Sequence, residues 1–292
     1  MKKFIKTILF KCSRALCFFY FKKIKTDINF HNNGRAKKDY EEMDVLIPVT
    51  ERDIEILGLT IESLRKFSLN RIANIYLVAK NTPKIRFFAS ENNCLFIDES
   101  RVCNLKLNEI YYSFKGIDRS GWLFQQLIKL NWDKISQKKN CLILDADTIF
   151  LAPQIFVDEK KLFFNCSDEF HQPYFECFEK ILNEKRLLPL SFISHYMIFD
   201  RESTLELKEE IEKKCKMNWE FAILKNCTRD TISGFSEYET YGHFLYNRKR
   251  EMLDISYWRN ISIKRSSTLS LKWLIDNYSK RHKTISFHWH IQ

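Results

Sequence analysis

Two aspartates, Asp145 and Asp147, close an unbroken apolar run in CLILDADTIFL (141–151). Side chains alternate along a strand, so residues two apart share a face. If the strand continues through them, both carboxylates project together as an acidic corner. Hard oxygen ligands of this kind suit Mg2+ or Mn2+. A cation so held bridges two phosphates and neutralises a departing diphosphate. A solvated turn after a strand would use the same residue types. The frame favours the metal reading: four apolar residues precede Asp145, and Thr148, Ile149, Phe150 and Leu151 follow Asp147.

Three further segments carry groups fit for chemistry. In TISFHWHI (284–291), Ser286, His288 and His290 fall on one strand face, opposite Ile285, Phe287 and Trp289. Two histidines on one face could ligate a metal; a surface pair on an edge strand fits the pattern too. In GFSEYETYGHF, Ser236 suits a helix start. Glu237 and Glu239 then lie in the first turn, where the helix dipole favours carboxylates, and capping alone would account for both. SFISHYMIFDRE offers Ser194 and His195 beside a strand, where a buried, satisfied histidine is an equal reading.

The elements that must position these groups follow from apolar periodicity. MDVLIPVT reads as a buried strand. ERDIEILGLTIESLRKF has apolar residues at 54, 57, 61, 64 and 67, which is helical spacing. Residues 74–81 form a second strand, 84–92 a short helix, 94–100 a third strand, 121–135 a helix and 141–151 a fourth strand. Alternating strands and helices imply a parallel α/β sheet, and continuous apolar strands imply one covered on both faces. Ligands of such sheets bind beyond the carboxyl ends of the strands. Three of those ends are polar: Thr50-Glu51-Arg52, Asp98-Glu99 and Asp145-Ala146-Asp147, and they are expected to meet in one cleft. After residue 151 the alternation breaks into a strand at 191–202, a helix at 204–219, a helix within 233–250 and a strand at 284–291.

The chain has 292 residues and a formal net charge of +11, a balance that attracts polyanions. No zinc-finger, RNP-like or helix-turn-helix pattern accompanies it, so a basic nucleic-acid-binding protein is the weaker reading and no nucleic-acid partner is expected. Nor is there a GxGxxG or GxxxxGK phosphate loop, which counts against a nucleotidyltransferase or sugar-phosphate transferase. Nine cysteines at irregular spacing, with no CxxC, read as reduced core thiols of a cytoplasmic protein.

The first 25 residues mix basic and large apolar side chains. The longest apolar run, Ala15 to Phe21, has seven residues, whereas a membrane span needs roughly 20. A secretory signal would need a longer apolar core and a cleavage site. The expected element is an amphipathic helix on an anionic membrane surface, with Phe18, Phe19, Phe21 and Ile24 inserted and Lys22, Lys23 and Lys25 at the headgroups. Packing of this helix on its own domain or on a partner is the alternative. A polar linker follows, giving residues 1–40 as arm and linker and 41–292 as one domain.

LILDADTIFL resembles the DxD strand of GT-A glycosyltransferases and is similar to LYLDADTI-type segments of family 8 and of related bacterial capsule and lipopolysaccharide enzymes. GWLFQQLIKL resembles the helix that precedes DxD in a bacterial group of such proteins. The resemblance covers roughly residues 44–292. It implies a GT-A, Rossmann-like fold, a nucleotide-sugar donor (a UDP-sugar favoured), Mn2+ or Mg2+, and a glycan or glycolipid acceptor. By position, Asp145 would touch ribose or metal and Asp147 would ligate the metal directly. Pro48, Thr50 and Arg52 would lie beside base and ribose, with Asp98 at the neighbouring strand end. Arg119, Gln125 and Gln126 would face the donor sugar or phosphates. His288, or else His290, would be the late third metal ligand. Glu237, with Glu239 in reserve, would be the base that takes the acceptor proton with inversion, while Ser194 and His195 would touch the acceptor. This chain has Ser-Glu where such enzymes often have Glu-Asp, and a retaining enzyme follows if neither glutamate is the base. With the basic arm on an anionic surface and reduced cysteines, the expected location is cytoplasmic, peripheral on the inner face of the cytoplasmic membrane.

Overall fold

The computed structural model describes residues 2–24, 40–159, 161–265 and 270–288. A helical arm, α1 (Lys2–Phe19), comes first. The α/β alternation follows as read: β1 (Met43–Pro48), α2 (Ile54–Phe67), β2 (Ile72–Ala79), α3 (Pro83–Glu91) and β3 (Leu95–Asp98). A small hairpin, β4 (Ser113–Phe114) and β5 (Ile117–Asp118), leads into α4 (Ser120–Leu130) and β6 (Asn140–Leu144). Then come β7 (Thr148–Phe150), β8 (Val157–Asp158), β9 (Lys161–Cys166), α5 (Gln172–Leu182), β10 (Tyr196–Asp200), α6 (Arg201–Cys215) and α7 (Trp219–Asn226). The chain closes with α8 (Glu237–Arg248), β11 (Leu253–Tyr257), β12 (Asn260–Lys264), α9 (Leu271–Tyr278) and β13 (Thr284–His288).

Helix starts are encoded by side chains that satisfy the first backbone donors. The Thr82 hydroxyl accepts from Ile85 N ahead of α3, with Pro83 at the first helical position. Asp200 accepts from Ser203 N at 2.9 Å to begin α6. Ser236 accepts from Glu239 N at 3.3 Å to begin α8, as its sequence suggests.

The central sheet runs in the order β10-β6-β1-β2-β3. β6, β1, β2 and β3 are mutually parallel, and β10 joins antiparallel at the edge. Val45, Leu46, Ile47, Leu142, Ile143 and Leu144 are all buried, consistent with a sheet covered on both faces. Parallel strands present their carboxyl ends along one edge, and the acidic corner lies there.

The structure corrects the expected strand 141–151. β6 ends at Leu144, and a turn closed by Thr148 N on Asp145 O (3.2 Å) separates it from β7. β7 leaves the central sheet and pairs antiparallel with β13, which is parallel to β12. The break follows from what lies on each side. Leu142 to Leu144 serve the main core, while Ile149 and Leu151 serve a second one with Ile56, Leu271, Leu274, Ile285 and Phe287. The two aspartates form the hinge between the cores. The expected strand 191–202 shortens to β10, and the helix expected to reach residue 135 ends at Leu130.

The arm packs on the domain. The Phe18 ring meets Tyr257 edge-on at 5.5 Å, and Phe21 is buried. Those two rings, expected in lipid, are therefore spent on the protein's own core; the side chain of Ile24 and all of Lys25 lie outside the described residues.

Gly242 in α8 faces the fully buried Phe192, and an added Cβ would stand 2.6 Å from that ring. Helix propensity alone favours alanine by about 1 kcal/mol. Overpacking costs about 1–3 kcal/mol, and Phe192 is already set between Phe164 and His243. Gly242→Ala is therefore expected to lower the urea unfolding midpoint; an unchanged midpoint would show that Phe192 can yield.

Candidate active site

Each peptide of the acidic turn is pinned from a different element. Asp145 N donates to His195 O (2.9 Å), just ahead of β10. The Thr60 hydroxyl of α2 donates to Ala146 O (2.9 Å). Phe287 N of β13 donates to Asp147 O (3.0 Å). The corner is thus a fixed platform, and the histidine-bearing strand lies directly against it.

The two carboxylates face different surroundings. Asp145 Oδ1 accepts from Lys129 Nζ at 2.5 Å and from the Tyr238 hydroxyl at 3.1 Å. Its Oδ2 accepts from His195 Nδ1 at 2.9 Å. Lys129 Nζ also donates to Glu237 Oε1 at 2.7 Å and stands 4.5 Å from the centre of the Tyr238 ring. The Lys129 side chain is 4% exposed and that of Glu237 0%. Burial alone would push Asp145 up, but the Lys129 ammonium and the His195 contact outweigh it and hold the carboxyl well below the usual range. Burial works against the charged form of Lys129 too, yet its two carboxylate partners leave it firmly protonated. Burial raises Glu237 in spite of Lys129.

His195 sits at φ 55°, the left-handed region that side chains with a Cβ rarely adopt. Such a backbone costs of order 1–3 kcal/mol and persists where the surroundings over-determine it. Here Asp145 holds the residue twice, by the backbone bond and through Nδ1, and the Trp258 ring lies 5.0 Å away. Burial lowers the His195 pKa, and the bond to Asp145 more than reverses this, so the net shift is upward.

Asp147 Oδ2 lies 3.5 Å from Arg265 Nη2. The same guanidinium donates to Asp53 Oδ1 (2.9 Å), to Arg52 O (3.0 Å) and to Phe287 O (3.3 Å). Arg265 thereby gathers the turn after β1, the acidic corner and β13. Burial pushes the Asp147 carboxyl up to about 6, with His195 and Arg265 opposing and Asp145 and Asp53 reinforcing. Asp145 is thus more fully compensated than Asp147.

The expected donor residues are only partly assembled. Pro48 is buried at the tip of β1. Thr50 is exposed and gives its N–H and hydroxyl to Asp53 (2.9 and 2.8 Å), and Arg52 is reached only through its carbonyl. Asp98 is separated from β6 by β1 and β2 and accepts from Ser100 N and Oγ within its own turn. Arg119 donates to Ile232 O (3.0 Å) and packs on Trp122; ten residues of helix, roughly 15 Å, separate it from Lys129. Gln125 is half-buried, and Gln126 is buried and donates to Trp122 O of its own helix; on this face of α4 it is Lys129, one turn further on, that reaches the corner.

Three further expectations meet the burial of their groups. Glu237 is the counter-ion of Lys129 and has no surface from which to meet an acceptor. Glu239 is fully buried, accepting from Phe192 N at 2.9 Å and facing His243 Nε2 at 3.2 Å. Ser194 is fully buried and donates to Tyr196 O at 2.7 Å, whereas His195 beside it does reach the corner. The backbone of His288 closes β13; its side chain, and all of His290, lie outside the described residues.

Sequence reasoning gave no role to Tyr238 or Arg265, and held Lys129 only as part of the GWLFQQLIKL helix and Asp53 only as the last residue of the 48–53 segment. A signal existed for Lys129: it is the one charge amid Leu123, Phe124, Leu127, Ile128 and Leu130, all buried. Arg265, in a run of basic and hydroxyl residues, carried none.

Among the described residues no group of three or more His, Cys, Asp or Glu side chains is arranged to hold a metal ion. The donor chemistry nevertheless suits a hard cation at one point: Asp147 is a carboxylate whose charge burial leaves under-compensated. Asp145 fits less well, because both of its oxygens already accept from charged or hydroxyl donors.

The chain belongs to DUF6492, a family of unknown function whose match spans residues 40–285. No curated protein matches it. Solved structures similar to it include mouse xyloside xylosyltransferase 1 in its apo form, at 12% identity over 87% of this chain and 99% of that one, with a TM-score of 0.46. Another is the galactosyltransferase LgtC in complex with donor and acceptor sugar analogs, at 9% identity over 84% and 87%, with a TM-score of 0.41.

A carboxyl whose folded pKa is raised binds more protons in the folded than in the unfolded state, so its contribution to stability falls as pH rises. For Asp147 the window runs from its unperturbed 3.8 to about 6. In metal-free protein, Asp147→Asn is expected to gain stability relative to the parent chain across that window and to level off above it. The plateau should reach about 3 kcal/mol at most. Paired urea titrations read this difference; a gap that does not change with pH would contradict it.

Proposed function

We propose that this chain is a metal-dependent glycosyltransferase that moves a sugar from a nucleotide donor, most readily a UDP-sugar, to a glycan or glycolipid acceptor. The supporting observation is the asymmetric acidic corner at the carboxyl end of β6: Asp145 clamped by Lys129, Tyr238 and His195, and Asp147 met by a single longer contact to Arg265. Parallel sheets bind ligands at that edge, and an under-compensated carboxylate beside a diphosphate-binding edge is the place for Mn2+ or Mg2+. Asp147 would hold that ion, with His288 as a further ligand, and the bound ion supplies Lewis-acid stabilisation of the diphosphate leaving group.

The remaining roles belong to the chain itself. Lys129 and His195 fix Asp145, and Asp145 is then a rigid acceptor for a donor hydroxyl. Arg265 holds the turn after β1 against the corner and so shapes the donor side. The proton of the acceptor hydroxyl falls better to His195 than to Glu237. His195 is 20% exposed and oriented through Nδ1 by a carboxylate, whereas Glu237 has no exposure. The motif resemblance favours a surface glycan of the capsule or lipopolysaccharide type as acceptor.

Thermal unfolding with UDP-, GDP- and CMP-sugars, each with and without Mn2+, tests this reading. At least one sugar nucleotide should stabilise the parent chain, by about 2.7 kcal/mol at a hundredfold excess over Kd. Asp147→Asn should lose the Mn2+-dependent part. With a UDP- or GDP-sugar and acceptor, the released product should be the nucleoside diphosphate; a monophosphate or a sugar phosphate from those donors would point to the rival transferases. Equal binding without metal and in Asp147→Asn would overturn the proposal.

A further inference from the structure

α1 and the π-helical turn that continues it (Tyr20–Ile24) present two unlike faces. Arg14, Cys17, Phe18 and Phe21 follow helical spacing and turn toward the domain. Arg14 donates to Asp168 O and lies over Phe170, Phe18 packs on Tyr257, and Phe21 is buried. On the outer side Leu16 is 70% exposed, Phe19 57% and Tyr20 48%. Exposed lysines flank this stripe: Lys11 before it, Lys22 and Lys23 after it. Lys22 is braced over the Phe18 and Tyr257 rings at 4.7 and 5.2 Å, which fixes the turn that carries it.

We propose that this outer stripe of α1 seats the protein on an anionic lipid surface, with Leu16, Phe19 and Tyr20 entering the acyl boundary and the flanking lysines meeting the headgroups. The choice of occupant rests on charge complementarity. Three large apolar side chains in five residues, bordered by lysines on a chain of net charge +11, match a surface that is apolar beneath and anionic above. The docked inner face leaves the helix one orientation in which to lie. Among the described residues no helix is long and apolar enough to cross a membrane, so the contact lies in the interface plane. The anionic leaflet of a cytoplasmic membrane is its inner one, and the protein would sit there. The arm also connects to the corner: Tyr257 carries Phe18, and the next residue, Trp258, carries His195. A lipid-linked acceptor would then arrive on the side of the domain where His195 lies.

Co-sedimentation of the full chain with phosphatidylcholine vesicles, with and without phosphatidylglycerol, tests this directly. The parent chain should pellet with the anionic vesicles and be released by high salt. Replacing Lys23 by Gln should weaken partition about fivefold. The double variant Leu16→Glu/Phe19→Glu should weaken it at least about tenfold. Its melting temperature should not change, because both side chains are exposed. As a second readout, tryptophan emission of Phe19→Trp should shift to the blue on anionic vesicles alone. Undiminished pelleting of the double variant would overturn the proposal. So would a concentration-dependent dimer that the double variant abolishes while vesicles bind neither protein, since the stripe would then belong to a second copy of the chain.

Discussion

A lysine ammonium with almost no access to water sits between two carboxylates, and the geometry of the site follows from it. Lys129 brings its charge from α4 to the tip of β6 and the first turn of α8. An unpaired buried charge would cost several kcal/mol, so α4 and α8 can close over the sheet only if Asp145 and Glu237 are both in place. That requirement fixes Asp145, and the left-handed His195 backbone is tolerated because the fixed Asp145 holds it at two points.

The same requirement divides the labour of the acidic pair. Two aspartates one residue apart invite equal roles, but their neighbours are unequal. Asp145 is surrounded by an ammonium, a phenol and an imidazole. Asp147 has one guanidinium at 3.5 Å and the charge of His195 nearby, against burial and two other carboxylates that repel it. A cation arriving at this edge of the sheet finds one carboxylate committed and one in need of charge. Arg265 sets the boundary of that space by tying the turn after β1 and the end of β13 to the corner, joining the β12-β13-β7 sheet to the central one.

Much of the scaffold was legible because it depends on apolar periodicity. β1, β2, β3 and β6 stand where continuous apolar runs put them, and Ser236 caps the helix it was expected to cap. The break at Asp145 was not legible, since Ile149 and Phe150 are as apolar as the residues before it; only the presence of a second core explains it. The resemblance offers Glu237 as the base and the helix start offers it as a capping charge, and nothing local announces that Lys129 closes over it. Ser194 and Gln126 were singled out by position in the resemblance, and burial turned both toward backbone carbonyls. In the arm, composition gave the amphipathic character. Which phenylalanines face outward was set by Tyr257, more than 230 residues further along the chain.

The most direct measurement on this account is a double-mutant cycle of Lys129→Met and Glu237→Gln, read by urea unfolding of the metal-free protein. Each single change strands a buried partner, and loss of Lys129 should cost about 3–5 kcal/mol. The double variant should be much less destabilised than the sum of the two, with a coupling energy of about 2 kcal/mol or more. Additivity to within about 0.5 kcal/mol would mean that the ammonium does not bind the two carboxylates together, and would contradict the account at its root.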